Sequence, residues 1–176
     1  MLPKSLYTER LLLRPPRLED ANAIFQTYAQ DPEVTRYLIW QPHQSITETQ
    51  AFLTECLAAW HQGDRFPWIM TRAEDGQLLG MIELRLEGHR AEVGYVLARQ
   101  FWGQGYVTEA LRAVLKAGLA LPQLYRIEAQ CDVENIASAR VMEKAGMMQE
   151  GVLRRFMILQ NLSQEPRDVY SYALTR

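Results

Sequence analysis

Two glycines, Gly103 and Gly105, punctuate the run Gln100-Phe101-Trp102-Gly103-Gln104-Gly105-Tyr106, and that run constrains this chain more than any other stretch. It follows an apolar, strand-like segment, Val93-Gly94-Tyr95-Val96-Leu97, and opens into the helix-patterned Val107-Thr108-Glu109-Ala110. A strand, a glycine turn and a helix start together make a backbone cradle for an anion. The leading N–H groups of the helix have no partner in their own turn, and the helix dipole favours negative charge there. Glycines at i and i+2 allow positive φ and let a ligand come close to the main chain. No Lys-Ser/Thr follows the second glycine, so this is not a nucleotide-hydrolysing loop, and no third glycine completes the dinucleotide spacing.

Composition narrows the class. A chain of 176 residues with 48% hydrophobic and 23% charged residues fits a single soluble globular domain, expected to span 1–176. A net charge of −2 lacks the basic face that nucleic-acid binding requires. No apolar run reaches membrane-spanning length, and Met1–Arg10 lacks the apolar stretch of a secretion signal. Cys56 and Cys131 stand alone, and His43, His61 and His89 have no metal-ligand spacing, so neither a metal nor a disulfide framework is expected. The expectation is a cytoplasmic protein that binds neither nucleic acid nor membrane.

Periodicity lays out the elements. Thr8–Arg14 alternates as a strand that Pro15-Pro16 ends. A helix carries Leu18, Ala21, Ile24, Phe25 and Tyr28 on one face until Asp31-Pro32 stops it. Ser45-Ile46-Thr47-Glu48 reads as a capping box for a helix closed by Gly63. Strands over Pro67–Arg72 and Gln77–Leu86 flank the Asp75-Gly76 turn, and Ala91–Leu97 follows. Leu111, Val114, Leu115, Gly118 and Leu119 mark an amphipathic helix ended by Pro122. Tyr125–Cys131 reads as a strand, and Asn135 as the N-cap of a helix that Gly146 closes. Two strands, Met148–Leu159 and Asp168–Leu174, complete the chain. Periodicity alone supports a mixed α/β or α+β domain.

The pattern Gln100-x-x-Gly103-x-Gly105 after a strand resembles the acyl-CoA pyrophosphate loop of the GNAT N-acetyltransferases. The longer Trp-Gly-x-Gly-Tyr-x-Thr-Glu-Ala is similar to the RimJ/RimL-type branch, whose members acetylate protein N-termini and some small amines. The resemblance covers nearly the whole chain and is most specific over Ala91–Gly151. It implies a central, mostly antiparallel sheet of six to seven strands flanked by about four helices. It also implies direct acetyl transfer from acetyl-CoA to a primary amine. The amine belongs to a ribosomal or other protein N-terminus or to a small molecule, and the chain is a monomer or homodimer. A non-catalytic acyl-CoA sensor on the same fold is the alternative, and a dinucleotide enzyme lacks support for want of the third glycine.

The same resemblance assigns site residues. Gln100, Gly103, Gln104, Gly105, Tyr106, Val107 and Thr108 hold the pyrophosphate, with Thr108 acting as phosphate donor, as helix cap, or as both. Main-chain groups of Tyr95, Val96 and Leu97 pair with pantetheine, and one N–H there faces the thioester oxygen. Gly94 marks close ligand approach or a bulge, or else a plain kink. Asn135 contacts pantetheine. Ser138 hydrogen-bonds the departing sulfur or else caps its own helix turn; many relatives carry a tyrosine acid where Met142 stands here. Glu92 is either the general base or a solvent-facing strand residue paired with Arg90 or Arg85. Arg140 and Lys144 are within reach of the 3′-phosphate or are ordinary helix charges. Tyr37, Ile39, Trp40 and Trp68 line the acceptor cleft or belong to the core.

Overall fold

The first strand is shorter than its Thr8–Arg14 pattern, and a two-residue strand precedes it. In the computed structural model, which describes residues 1–176, β1 (Leu6–Tyr7) and β2 (Leu11–Arg14) form a short antiparallel pair. The expected strand begins only at Leu11, because the Thr8 hydroxyl accepts the N–H of Leu11 at 3.0 Å and turns the chain locally. The next helix is also irregular. A single 3₁₀ turn at Leu18–Asp20 leads into α1 (Ala21–Ile24) and then a wide π turn over Phe25–Ala29. A four-residue α2 (Pro32–Thr35) follows, with the Asp31 carboxylate accepting the Glu33 N–H as its cap.

The helix α3 (Ile46–Gln62) ends at Gly63 with φ +81°, as its pattern predicts. Its capping box does not form: Ser45 makes no side-chain cap, and Glu48 instead accepts the N–H of Gln44 at 2.9 Å. The strands β3 (Arg65–Arg72), β4 (Leu78–Glu87) and β5 (Arg90–Leu97) then run as an antiparallel meander. After the glycine loop come α4 (Tyr106–Leu119), β6 (Arg126–Asp132), α5 (Ile136–Lys144), β7 (Met148–Met157) and β8 (Arg167–Thr175). One eight-stranded sheet results, in the order β1-β2-β3-β4-β5-β6-β8-β7, with five α-helices. The strand beyond the expected six or seven is the two-residue β1, and the helix beyond four is the single-turn α2.

Strand alternation assigns the helices to faces. On β4, Leu84 points toward Gly118 of α4, while its neighbour Glu83 points toward Cys56 of α3. Helices α4 and α5 therefore cover one face, and α1 and α3 the other. The apolar stripe Leu111, Val114 and Leu115 of α4 is fully buried on the sheet. Each of these side chains contributes about 1.5–3 kcal/mol by burial.

Every neighbouring strand pair is antiparallel except β5–β6. That parallel pair is joined only over Arg90–Glu92 and Arg126–Glu128. Beyond Glu92 the two strands diverge. The edge of Val93–Leu97 that faces β6 has no strand partner, and main-chain groups without partners call for a ligand or water.

Candidate active site

The loop between β5 and α4 is pinned at its start and open at its end. Trp102 donates its indole N–H to the Leu97 carbonyl at 2.8 Å, which fixes the chain as it leaves the strand. Gly103 and Gly105 then adopt φ of +75° and +81°, conformations that L side chains rarely take. Gly105 is the N-cap of α4 and no side chain caps that turn, so the leading N–H groups stay available. They border a cleft of about 750 Å³ without a single hydrophobic wall residue. Gly103, Gln104, Gly105 and Thr108 form one wall, and the cations Arg10, Arg112 and Lys144 stand around it. Glu9 and Glu109 line the cleft too, so the cations are in excess by one; with free N–H donors and a helix N-terminus, that excess fits an anionic group such as a diphosphate.

Arg10 reaches this loop from the β1–β2 turn. Its Nε donates to Glu109 Oε2 at 2.7 Å, one terminal nitrogen donates to the Gln104 carbonyl at 3.0 Å, and the guanidinium lies 4.6 Å over the Tyr106 ring. Glu109 also accepts from the Thr8 hydroxyl at 2.6 Å and the Arg10 N–H at 2.8 Å. Burial alone would raise the Glu109 pKa, but these donors outweigh it and hold the carboxyl below its ordinary value.

Across the gap between β5 and β6, the phenol of Tyr95 meets the hydroxyl of Ser138 on α5 at 2.8 Å. Asn135 caps that helix, its Oδ1 accepting the Ser138 N–H at 3.2 Å. The cap of α5 is therefore Asn135, and the Ser138 hydroxyl bonds Tyr95 instead of its own turn. Burial pushes the Tyr95 phenol above its ordinary pKa, and pushes the neighbouring Cys131 thiol up to about 11. At neutral pH Tyr95, Ser138 and Cys131 are all protonated.

The opposite face carries the carboxylates. Glu92 is exposed and stands 3.8 Å from Arg85, its register partner on β4. It lies in a second cleft of about 430 Å³, shared with Glu128, Gln130 and Phe156. Glu83, directly opposite Gly94, is buried and held between Arg65, at 2.9 Å, and Arg85. The β4–β5 register runs without a bulge at Gly94, so that glycine opens space over Glu83 rather than kinking the strand. Above this face, the Asn161 side chain donates to the carbonyls of Thr35 at 2.8 Å and Trp40 at 2.7 Å, tying the segment after α2 to the β7–β8 connection.

Comparison with known proteins settles what this arrangement belongs to. Residues 10–148 match the acetyltransferase (GNAT) domain model. The chain belongs to the GNAT acetyltransferase family. An uncharacterized N-acetyltransferase, p20 of Bacillus licheniformis, is 33% identical over 98% of this chain and 97% of its own. RimJ of Mycobacterium smegmatis, solved with a CoA disulfide, has a TM-score of 0.83 and 26% identity, covering 94% of this chain and 81% of its own. RimL, a ribosomal L7/L12 α-N-protein acetyltransferase solved with coenzyme A, has a TM-score of 0.86 at 22% identity, covering 99% and 97%. This acetyltransferase is thus an enzyme whose donor is acetyl-CoA, with RimJ- and RimL-type proteins among its structural neighbours.

The residues singled out from sequence divide clearly. In this acetyltransferase Gly103, Gln104, Gly105 and Thr108 line the cleft beside the start of α4. Tyr106 and Val107 are buried and are not part of its wall. Gln100 lies off the cleft wall, its carbonyl accepting from the Gln104 amide at 3.1 Å. Lys144 lines the cleft and Arg140 does not. Trp68 is fully buried, its indole donating to the Lys4 carbonyl at 3.0 Å; it is core, not cleft. Met142 is fully buried too, and it carries no acidic proton. Sequence reading missed Arg10, Glu83 and Asn161. Glu83 alone left a local signal, a single carboxylate inside the apolar run of β4.

Proposed function

We propose that this acetyltransferase moves the acetyl group directly from acetyl-CoA to the α-amine of a peptide or protein N-terminus. One observation carries the reading: the β5–β6 gap has proton donors on one side, Tyr95 with Ser138, and carboxylates on the other, Glu92 with Glu83. Acetyl-CoA, when bound, supplies an activated thioester carbonyl. The N–H groups at the start of α4, with Arg10, Arg112 and Lys144, hold its diphosphate. The edge at Tyr95, Val96 and Leu97, which no strand covers, pairs with pantetheine as an added strand, and Asn135 bounds the same channel. Ser138 donates to the sulfur as it leaves. Glu92 takes the amine proton, directly or through one water. No acyl-enzyme forms: burial drives the Cys56 thiol up to about 12 and Cys131 to about 11, so neither is a thiolate at neutral pH.

The choice of an α-amine follows from what each acceptor asks of a base. An α-amine is already partly neutral near pH 7 and asks less of a carboxylate than an alkylamine does. At pH 7 roughly a tenth of peptide α-amines (pKa about 7.7–8.0) are unprotonated, against about four in ten thousand alkylamines (about 10.4). RimL acts on such an α-amine, but its likeness bears on the fold; the argument here rests on the acceptor's own protonation and on the exposed Glu92.

The test is acetyl-CoA turnover with N-terminal peptides and with alkyl diamines from pH 7 to pH 9. The expected result is a higher kcat/KM for the peptide at pH 7, with a ratio that narrows as pH rises. A preference for the alkylamine at neutral pH overturns the acceptor assignment. Absence of turnover with every peptide overturns it equally.

A further inference from the structure

Most glycines in this chain have a local reason. Six of the ten hold positive φ. Two more are crowded: an added Cβ would run into the Val96 carbonyl at Gly80 and into Ile127 at Gly118. Gly151 and Gly94 have neither reason, and Gly151 lies at a register shift on the edge strand β7. Gly94 stands in an unbroken register, its φ is not positive, and an added Cβ would meet nothing within 4 Å. A glycine inside a strand is less stable there than alanine, because it has more backbone freedom to lose. No turn, bulge or close neighbour accounts for this one.

The strand shows what the missing side chain leaves room for. Alternation puts Glu92, Gly94 and Val96 on the α3 face of β5, and Val93 and Tyr95 on the face of α4 and α5. Between Glu92 and Val96, roughly 13 Å of strand therefore presents bare backbone to the α3 face. Gly94 is exposed there, with Glu83 directly across on β4. Glu92 flanks this notch and is the last β5 residue paired with β6, so the notch begins where the gap between the strands begins. The next residue, Tyr95, points to the other face and meets Ser138. Gly94 thus sits at the crossing between the carboxylates on one face and the proton donors on the other.

We propose that Gly94 is a specificity-determining residue, the floor on which the amine-bearing carbon of the acceptor rests. This rests on acetyl transfer to an amine across the β5–β6 gap. An unbranched alkylamine brings a CH2 group to that floor. A peptide α-amine brings a wider carbon, which carries a side chain and a carbonyl group. The bare backbone at Gly94 admits the wider carbon, and a Cβ at that position takes the room its substituent needs.

The test is Gly94→Ala in the full chain. The added methyl meets no protein atom, so the Tm is expected at or slightly above the wild-type value, with acetyl-CoA affinity unchanged by titration calorimetry. A steep fall in Tm, or a loss of acetyl-CoA affinity that matches the loss of turnover, makes Gly94 a structural residue and overturns the proposal. Turnover is compared on peptides that differ only in a first residue of Gly, Ala or Val. The variant is expected to lose roughly tenfold or more in kcat/KM on the Val-first peptide and least on the Gly-first one. Unchanged kcat/KM, or an equal loss on all three, overturns the proposal. The pair n-propylamine and isopropylamine carries the same comparison without a peptide. If wild type acetylates only these amines, the peptide assignment falls, while a loss in the variant confined to isopropylamine sustains the notch. An equal loss on both amines overturns it, and wild-type turnover with none of the five acceptors overturns both readings.

Discussion

The phenolic oxygen of Tyr95 lies 2.8 Å from Oγ of Ser138, across 43 residues of sequence and across the gap between β5 and β6. If Tyr95 donates, the Ser138 hydroxyl has its own proton free to point into the gap, where the sulfur of CoA would lie. Tyr95 is then a positioning residue for Ser138. Tyr95→Phe removes that donor and leaves the ring in place. The expected result is a fall in kcat of about fivefold, the worth of one neutral hydrogen bond, with the KM for acetyl-CoA nearly unchanged. Ser138→Ala should cost more, roughly tenfold or above, because a bond to a developing thiolate is lost. The double variant should be no worse than Ser138→Ala alone, since the two act as a unit. Additive losses in steady-state kinetics would separate them.

Arg10 ties the β1–β2 turn to the donor loop through Glu109 and the Gln104 carbonyl. Arg10→Met should remove a cation from the cleft and loosen the loop together. The guanidinium is 42% exposed, so its ion pair contributes up to about 1 kcal/mol to stability, a fall in Tm of about 2–4 °C. The effect on CoA should be the larger one. Calorimetry is expected to show several-fold weaker CoA binding and a shallower dependence on salt. Unchanged CoA affinity with the same fall in Tm would leave Arg10 as a structural tie only.

Much of the element order was legible because it is written in local patterns. The 3.6-residue stripe of α4, the Asp75-Gly76 turn and the Asn135 and Gly146 ends of α5 each need only a few neighbouring residues to be read. Errors came where a side chain outbid the pattern. Thr8 turned the chain and delayed the first strand to Leu11, and Glu48 capped Gln44 rather than closing a box with Ser45. The site was legible only where it is local, in the glycine loop. Its other contacts join residues far apart: Arg10 with Glu109, 99 residues on, and Asn161 with Thr35, 126 residues back. Strand register brings Glu83 beside Gly94, and register is a property of the sheet, not of either segment.

Below the gap, Asp132 is buried and paired with Arg167 on β8 at 2.5 Å. Burial pushes its pKa up, but the Arg167 hydrogen bonds and the Glu134 N–H more than offset that and hold it below its ordinary value of 3.8. A depressed carboxylate stabilises the fold fully above its unfolded pKa and loses that contribution as pH falls through the lower folded value. Glu109 acts with the same sign. Urea unfolding should therefore show stability flat through neutral pH and falling steeply below about pH 4. In Asp132→Asn the acid-side slope should flatten while stability at pH 7 drops. An unchanged slope would mean that Asp132 titrates alike in folded and unfolded chains.

Glu92 and Glu83 offer two candidate bases, and their surroundings tell them apart. Glu92 is exposed, loosely opposed to Arg85 and open to a cleft, so a proton can reach it and leave again. Glu83 is buried between Arg65 and Arg85, where neutralisation would strand two cations. Glu92→Gln keeps the shape but accepts no proton. It should leave acetyl-CoA binding intact and lower kcat/KM by roughly 10²–10⁴ at pH 7. The loss should shrink as pH rises, because the free amine then needs no base, and it should be larger for an alkylamine than for a peptide α-amine. Glu83→Gln should instead lower the Tm and leave the shape of the pH–rate profile unchanged. Profiles of wild type and both variants on one peptide and one diamine make the decision. If Glu83→Gln flattens the profile and Glu92→Gln does not, the roles are reversed. Parallel profiles for all three would leave catalysis to the donor loop, the β5 edge and Ser138.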